Sequence, residues 1–142
     1  MFVRIEVAMK PEFVDPIAKA VMRRLELSHP LIHQKIRWSR MIDVYWLDLP
    51  AAREEMIPAL TEIFWDPVLN WLFTGNLIPS AAGKNGGILD LMEKAPNRPG
   101  QFWVIERRFR PGVTDNIGKT TLEAFEIVLG RKLLEGRASS GS

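Results

Sequence analysis

The chain has 142 residues, no cysteine, 46% apolar residues and a formal net charge of +2 from 19 cationic and 17 anionic side chains. This length suits one compact domain, and the lack of cysteine excludes a disulfide framework and a zinc site with thiolate ligands. No apolar run approaches the roughly 18–20 residues that cross a bilayer. The alternating start, MFVRIEVAMK, lacks the apolar core of a signal peptide. A net charge of +2 is too small to predict nucleic-acid binding by itself.

The first half of the chain predicts two strand–helix pairs. Residues 2–9 alternate apolar and charged side chains, which is the pattern of a half-buried strand. Asp15 followed by Pro16 predicts a helix start, because aspartate caps helices and proline suits the first helical position. Residues 40–48 are rich in β-branched and aromatic side chains and predict a second strand. Pro50 is predicted to begin the second helix.

Each of these helices has an apolar stripe at helical spacing, which we expect to face the core. The stripes are Ile17, Ala20, Val21 and Leu25 in the first helix, and Met56, Leu60, Ile63 and Phe64 in the second. Residues 27–35 are expected to be a connection, broken at His29-Pro30. Asp66-Pro67 repeats the start signal and predicts a short final turn over VLNWLF.

The second half opens with a change in composition. Residues 74–100 contain five glycines and three prolines, which predicts a mobile connector with a short helix at 88–94. Residues 102–110 predict a third strand, and a third helix is expected from Asp115 to Leu134. The inward stripe of this helix is expected to be Ile117, Leu122, Phe125 and Leu129. The small polar residues 135–142 predict a disordered tail.

The two halves share an internal repeat at an offset of 100 positions. Eight identities align without a gap: Phe2/Phe102, Ile5/Ile105, Glu6/Glu106, Pro11/Pro111, Asp15/Asp115, Ile17/Ile117, Lys19/Lys119 and Glu26/Glu126. Any strand–turn–helix unit uses such Asp and Pro signals, but their use does not explain the common spacing or the paired glutamates. The repeat predicts a second unit that stops after its helix, so that exposed strand edges favour self-association.

Two short motifs suggest ligand binding and have simpler interpretations. Gly118-Lys119-Thr120-Thr121 is similar to the end of a phosphate-binding loop, but that loop needs a glycine where this chain has Val113, so we predict a first helical turn. His29 and His33 are spaced as metal ligands on one helix face. Pro30 between them favours a loop rather than a metal site.

No catalytic constellation is visible in the sequence. The chain has no cysteine nucleophile, no serine in a G-x-S-x-G turn and no carboxylates spaced as an acid–base couple. We therefore predict no catalytic, cofactor-binding or metal-binding residue in this chain.

Two groups of aromatic and cationic residues each have two possible interpretations. One group could form an RNA-binding strand or an ordinary strand with one wet face: Phe102, Trp103, Arg107, Arg108, Phe109 and Arg110. The tryptophans fit either core packing or a partner surface: Trp38, Trp46, Trp65, Trp71 and Trp103.

Several segments resemble the PurS-like N-terminal region of phosphoribosylformylglycinamidine (FGAM) synthase. The run from Arg110 to Thr120 is similar to the family's R/K-P-G-V-T-D-N-x-G-R/K-T motif. MKPEFVDPIAKA resembles the start of PurS proteins, with Ala18 in place of the usual glycine. MIDVYWLDL and IFWDPVLNWLF also resemble segments of the family. The resemblance spans roughly residues 2–133.

The resemblance implies an α+β fold in which a β-α-β-α unit is followed by a partial second β-α copy, with an antiparallel sheet and helices on one face. Its parts would be a first half at 1–73, a linker at 74–100, a partial second half at 101–134 and the tail at 135–142. In fused enzymes of this family two such halves imitate a PurS dimer.

The resemblance also implies a non-enzymatic accessory role in cytoplasmic purine biosynthesis. The whole enzyme amidates formylglycinamide ribonucleotide with ATP and glutamine, and the domain would organise its synthetase and glutaminase modules. ATP and magnesium are expected in synthetase domains absent from this chain, and the family's glutaminase cysteine is absent too. We expect a homo-oligomer that binds neither nucleic acid nor membrane. The alternative is a stand-alone oligomeric or nucleic-acid-binding α+β module.

Overall fold

A computed structural model of the chain describes residues 1–74, 104–110 and 112–142. The elements in these residues are β1 (Phe2–Met9), α1 (Pro16–Ser28), α2 (Pro30–His33), β2 (Asp43–Asp48), α3 (Arg53–Phe64), β3 (Asn70–Phe73), α4 (Asn116–Leu129) and β4 (Arg137–Gly141). The described strands form one antiparallel sheet in the order β3-β1-β2-β4. The predicted α+β class with an antiparallel sheet is confirmed. Within the described residues, no helix has both the length and the apolarity needed to cross a membrane.

The core lies between one face of the sheet and helices α3 and α4. Val3 on β1 stands opposite Leu47 on β2, and Val7 opposite Leu72 on β3. These side chains alternate to the same face because neighbouring residues of a strand point to opposite sides. The residues that form the buried cluster are Val3, Ile5, Leu47, Leu49, Met56, Ala59, Leu60, Leu72, Phe125 and Leu133. Burial of each large side chain stabilises the fold by about 1.5–3 kcal/mol.

Helix α1 begins as predicted, but it turns a different face inward. Asp15 caps it and Pro16 occupies its first position. The predicted stripe is wrong at three of its four positions, because Ile17, Ala20 and Val21 are exposed while Ala18 is buried. The inward residues are Ala18, Met22 and Leu25, which follow helical spacing, and of these only Leu25 belongs to the predicted stripe.

The connection predicted over residues 27–35 contains a helical turn instead. Pro30 is the first residue of α2, a position where its missing N–H costs nothing. Helix α3 matches its predicted stripe, with Met56 and Leu60 fully buried and Ile63 and Phe64 partly buried. It begins at Arg53 rather than at Pro50.

The short final turn predicted over VLNWLF is wrong for most of that run. Asp66 accepts hydrogen bonds from the Val68 and Leu69 amides, and this tight turn redirects the chain. Residues Asn70–Phe73 then form β3, which pairs with β1.

Helix α4 ends earlier than the predicted Leu134. Gly130 adopts φ +65°, a left-handed conformation that glycine tolerates and that ends the helix after Leu129. Phe125 is fully buried as expected, but Ile117 is 54% exposed. The predicted disordered tail at 135–142 is wrong, since Arg137–Gly141 form β4 against β2. The second unit therefore continues into a strand after its helix.

The predicted third strand is not found as a regular element in residues 104–110. A single antiparallel bridge joins Arg108 to Gly141, and the backbone groups of Arg107 and Ser142 exchange two hydrogen bonds. Residues 102 and 103, the predicted helix at 88–94 and, apart from Thr74, the predicted connector lie outside the described residues.

Candidate functional site

The N-terminus of α1 is tied to the strand that follows it. Asp15 Oδ1 accepts hydrogen bonds from the Ile17 and Ala18 amides at 3.1 and 2.9 Å. Its other oxygen, Oδ2, accepts from the Met41 amide at 2.8 Å, just before β2 begins. The side chain is 8% exposed, so these bonds satisfy a buried carboxylate. One residue therefore starts the helix and positions the next strand.

Asp115 does the same at the N-terminus of α4. Its Oδ1 accepts from the Gly118 amide and the Ser140 hydroxyl, both at 2.7 Å, and Oδ2 accepts from the Ser140 amide at 2.5 Å. Partial burial opposes ionisation, but hydrogen bonds from Gly118, Ser140 and Ile117 outweigh it and lower the pKa of Asp115 below its ordinary value of 3.8. The ionised carboxylate thus holds β4 against the helix.

An open cleft of about 370 Å³ lies where these two tied helix starts meet. Ile17 and Ile117 both line it, so the two repeat-related isoleucines share one depression. Its full lining is Ile17, Met41, Asp43, Arg107, Arg108, Phe109, Ile117, Ser140, Gly141 and Ser142. The cleft combines apolar walls with a carboxylate and two guanidinium groups.

The acidic side of the cleft has perturbed proton affinities. Neighbouring protein atoms shield Asp43 from part of the solvent, and this desolvation, together with the negative charge of Asp15, raises the pKa of Asp43. Desolvation and the charges of Asp43 and Asp115 raise the pKa of Tyr45. In both cases desolvation is the larger cause of the raised pKa, and the neighbouring carboxylates add to it. Sequence reasoning missed Asp43, because its neighbours are separated from it along the chain.

The arginines of the cleft have different roles. The Arg107 guanidinium donates to the hydroxyl of Ser142 from Nη2 at 3.0 Å and forms no ion pair in the described residues. Arg108 donates to Glu106 at 2.7 Å, and its guanidinium carbon lies 3.7 Å from the Trp46 ring centroid. Such a cation–π contact contributes about 0.5–2 kcal/mol. Arg108, predicted as a possible RNA contact, is therefore engaged within the molecule.

The Arg108 contact is part of a charge network on the sheet face opposite the core. We call this face the outer face, and it is defined by Phe2, Arg4, Glu6 and Trp46. Arg4 lies 2.6 Å from the buried Glu6 carboxylate and 3.7 Å from Glu106. The repeat-related glutamates therefore meet at one arginine. Their alignment at positions 6 and 106 was the sequence signal that could have predicted this contact.

The motifs considered for ligand binding lie in ordinary structural positions. Lys119 is in the first turn of α4, as predicted, and its amide donates to the Asp115 carbonyl. Gly118 packs so tightly that a Cβ there would lie 2.6 Å from the Ala138 carbonyl oxygen. The glycine of this motif thus allows β4 to approach the helix.

The histidines sit at the junction of α1 and α2. His29 Nδ1 is 2.9 Å from Ser28 Oγ, but that hydroxyl donates to the Arg24 carbonyl oxygen at 2.8 Å. The Ser28 hydroxyl therefore donates to the backbone rather than to the imidazole. His29 consequently does not activate Ser28 as a nucleophile. No group of three metal-ligating side chains is found in the described residues.

A second groove lies at the C-terminus of α4. Glu126 accepts from Lys132 Nζ at 2.7 Å and from the Leu133 amide at 2.9 Å. These bonds lower the pKa of Glu126, and the Glu126 carboxylate raises the pKa of Lys132. These hydrogen bonds hold the chain after Gly130 against the end of α4, so the charged groups of this groove have a structural role.

No protein-family model, curated protein or solved structure matches this chain. Chemically, the cleft and outer face offer apolar contact area, a carboxylate and guanidinium groups. Apolar contact area combined with such charged groups is the composition of many protein-binding surfaces.

Proposed function

We propose that this chain is a non-catalytic assembly domain, the PurS-like N-terminal region of an FGAM synthase acting in cytoplasmic purine biosynthesis. Its role would be to hold the synthetase and glutaminase modules in place while they use ATP and glutamine to amidate formylglycinamide ribonucleotide. ATP and magnesium would be bound by the synthetase domains. The motif from Arg110 to Thr120 supports the family part of this proposal.

The observation that carries the assembly role is the amount of large apolar surface left exposed. Phe2 is 68% exposed, Val104 58% and Ile105 82%. Isolated exposed apolar residues are common, but contiguous ones mark interaction sites. These exposed residues lie beside the outer face, because Glu106 contacts Arg4 and Arg108 contacts Trp46, while Ile105, which directly precedes Glu106, stays exposed. Docking of a sibling module on Phe2 and Ile105 would remove this surface from water.

The chemistry of the outer face fits such a partner. Arg4 is 43% exposed and already balanced by Glu6 and Glu106, so a partner would meet a locally neutral surface with apolar edges. Charged residues tend to be depleted at the centre of interfaces, whereas aromatic residues and arginine are enriched. Phe2, Arg4 and Trp46 follow that composition.

The assembly role is tested by co-purifying the chain with synthetase and glutaminase modules of an FGAM synthase. The wild-type chain is expected to co-elute stably with them and to show no turnover alone. Ile105→Glu is expected to abolish co-elution, because a carboxylate would be buried without a partner. Val113→Glu, another exposed apolar site, is the matched control. Wild-type chain that repeatedly fails to co-elute would refute the proposal.

The alternative module that binds nucleic acid makes a different prediction. It requires binding to RNA or DNA at about 50 mM salt that weakens as salt rises. Arg108 would have to leave both Glu106 and Trp46 to contact a phosphate. The structure therefore favours a protein partner over nucleic acid at this face.

A further inference from the structure

Charge is divided unevenly between two segments of the chain. Residues 16–42 contain six cationic side chains and one carboxylate, a net charge of +5. Residues 48–66 contain five carboxylates and one arginine, a net charge of −4. The overall charge of +2 conceals this separation. Opposite charges on separate surfaces can steer two molecules into one orientation.

The basic surface lies on one side of α1, and the short helix α2 follows α1 directly and packs against it. Helical spacing of 100° per residue places Lys19, Arg23, Leu27, Arg24 and Val21 on a continuous arc opposite the inward face. Leu27 is 80% exposed, and Leu31 on α2 is 75% exposed. The three cations have no ion pair in the described residues. We call these six residues the basic face.

The acidic surface lies on the outer side of α3 and in the turn that follows. Glu54 and Glu62 lie within 80° of each other around the helix, with Trp65 between them in projection. Trp65 is 47% exposed, Val68 64% and Leu69 43%. Neither glutamate has an ion pair in the described residues, since the α3 ion pair is made by Glu55 with Arg131. Glu54, Glu62, Trp65, Val68 and Leu69 form the acidic face.

We infer that the basic face of one copy binds the acidic face of a second copy. Each face joins unpaired charges of one sign to large exposed apolar side chains, so the two are complementary in charge and chemistry. Within one molecule no described ion pair links them, and both remain exposed. Contact between two different faces is head-to-tail, so it builds chains or closes into rings.

This association goes beyond the proposed assembly role and uses other residues. The sibling modules are placed on the outer face at Phe2 and Ile105, whereas a second copy uses α1 and α3. An apolar contribution distinguishes the contact from attraction between charges alone. Leu27 and Leu31 would lose water contact against Trp65 and its neighbours, and this burial would persist at high salt.

Sedimentation over a wide concentration range tests the inference, using the whole chain. Wild type is expected to self-associate, and Arg23→Glu with Arg24→Glu is expected to weaken association by about tenfold or more. Glu54→Lys with Glu62→Lys is expected to do the same. A mixture of the two double variants is expected to restore association, because each reversed face then meets an opposite charge. Lys119→Glu with Arg137→Glu changes two exposed cations elsewhere and is expected to have little effect.

Two further measurements separate a loss of association from a loss of folding and separate the apolar contribution from the charge contribution. Thermal melts monitored by circular dichroism confirm that each variant folds, and Leu27→Ser tests the apolar contribution without changing charge. A monomeric wild type, unchanged association in the reversed variants, or a mixture that fails to restore it would overturn the inference. It would also be overturned if the basic-face variants lost binding to RNA or to anionic vesicles while self-association stayed intact. Failure to co-elute with synthase modules while self-association is normal would count against the proposed function alone.

Discussion

Helices α1 and α4 both begin at an aspartate that also holds a later strand, yet they approach those strands differently. Asp15 accepts one hydrogen bond from beyond its helix, from the Met41 amide just before β2, whereas Asp115 accepts two from β4, from the amide and the hydroxyl of Ser140. Three residues after each cap the helices also differ, with Ala18 in the first unit and Gly118 in the second.

That residue sets how closely the helix and strand can pack. Ala18 is buried with its methyl group accommodated, while a methyl group at position 118 would collide with the backbone of β4. The comparison shows that a cap motif fixes where a helix starts, and that the size of one side chain in its first turn decides the spacing to the strand. The tighter second unit compensates for a short strand, RASSG, that has little apolar surface.

The largest expected effect is from removing the cap of the second unit. Asp115→Ala would lose the helix cap and leave the amide and hydroxyl of Ser140 without their acceptor, so we expect the free energy of unfolding to fall by about 3 kcal/mol. Asp15→Ala is the matched variant and should cost about 2 kcal/mol, since one strand donor is lost. Chemical denaturation measures both. Equal losses would contradict the stronger tie of the second unit.

Substitutions at positions 118 and 18 should destabilise the protein in both units, but for different physical reasons. Gly118→Ala would place a Cβ 2.6 Å from the Ala138 carbonyl oxygen and 2.8 Å from Asp115 Oδ2. The resulting strain should exceed the gain in helix propensity and destabilise the protein by about 2 kcal/mol. Ala18→Gly should cost about 1 kcal/mol through helix propensity. Hydrogen exchange should report faster opening of β4 in Gly118→Ala, and a stabilised variant would show that the close packing is wrong.

The hydrogen bonds of Asp115 also predict a dependence on pH. Because the folded protein lowers the pKa of Asp115, its stabilising effect is complete above the ordinary value of 3.8 and is lost as pH falls through the lower, folded-state pKa. The difference in the free energy of unfolding between wild type and Asp115→Asn should therefore be constant near neutral pH and shrink in acid. A difference that grew below pH about 4 would have the wrong sign.

The sequence predicted local features well, because their causes are local. Asp15, Pro16 and Asp115 act on the amides of their own first turn, so the helix starts were predictable. The inner face of α1 was not, since Ile17 and Val21 look like core residues but stay exposed. Instead of packing in the core, Ile17 lines the cleft and Val21 is part of the basic face.

The missed strands and contacts depend on partners far away in sequence. Asn70–Phe73 form a strand because β1 offers an edge, although a preceding Asp-Pro signal favoured a turn. Arg137–Gly141 have almost no strand signal, and β2 with Asp115 holds them in place. The stacking of Arg108 on Trp46 joins residues 62 positions apart. Composition and spacing do not specify such pairs.

The smallest expected effect concerns Asp43, where the two capped helix starts come together. Desolvation and the charge of Asp15 disfavour the ionised form, and they raise the pKa of Asp43. Ionised Asp43 therefore costs stability above its folded-state pKa and costs nothing below its ordinary value of 3.8.

Asp43→Asn should accordingly stabilise the protein at neutral pH, by at most about 0.5 kcal/mol because the side chain is solvent-accessible. The gain should disappear as pH falls toward 4, which is opposite to the behaviour of Asp115→Asn. Denaturation of both variants across this pH range measures the contrast directly. If Asp43→Asn destabilised the protein at neutral pH, the ionised Asp43 carboxylate would have to make a favourable contact in the cleft. Electrostatic attraction to Asp43, rather than the two helix caps alone, would then stabilise the cleft.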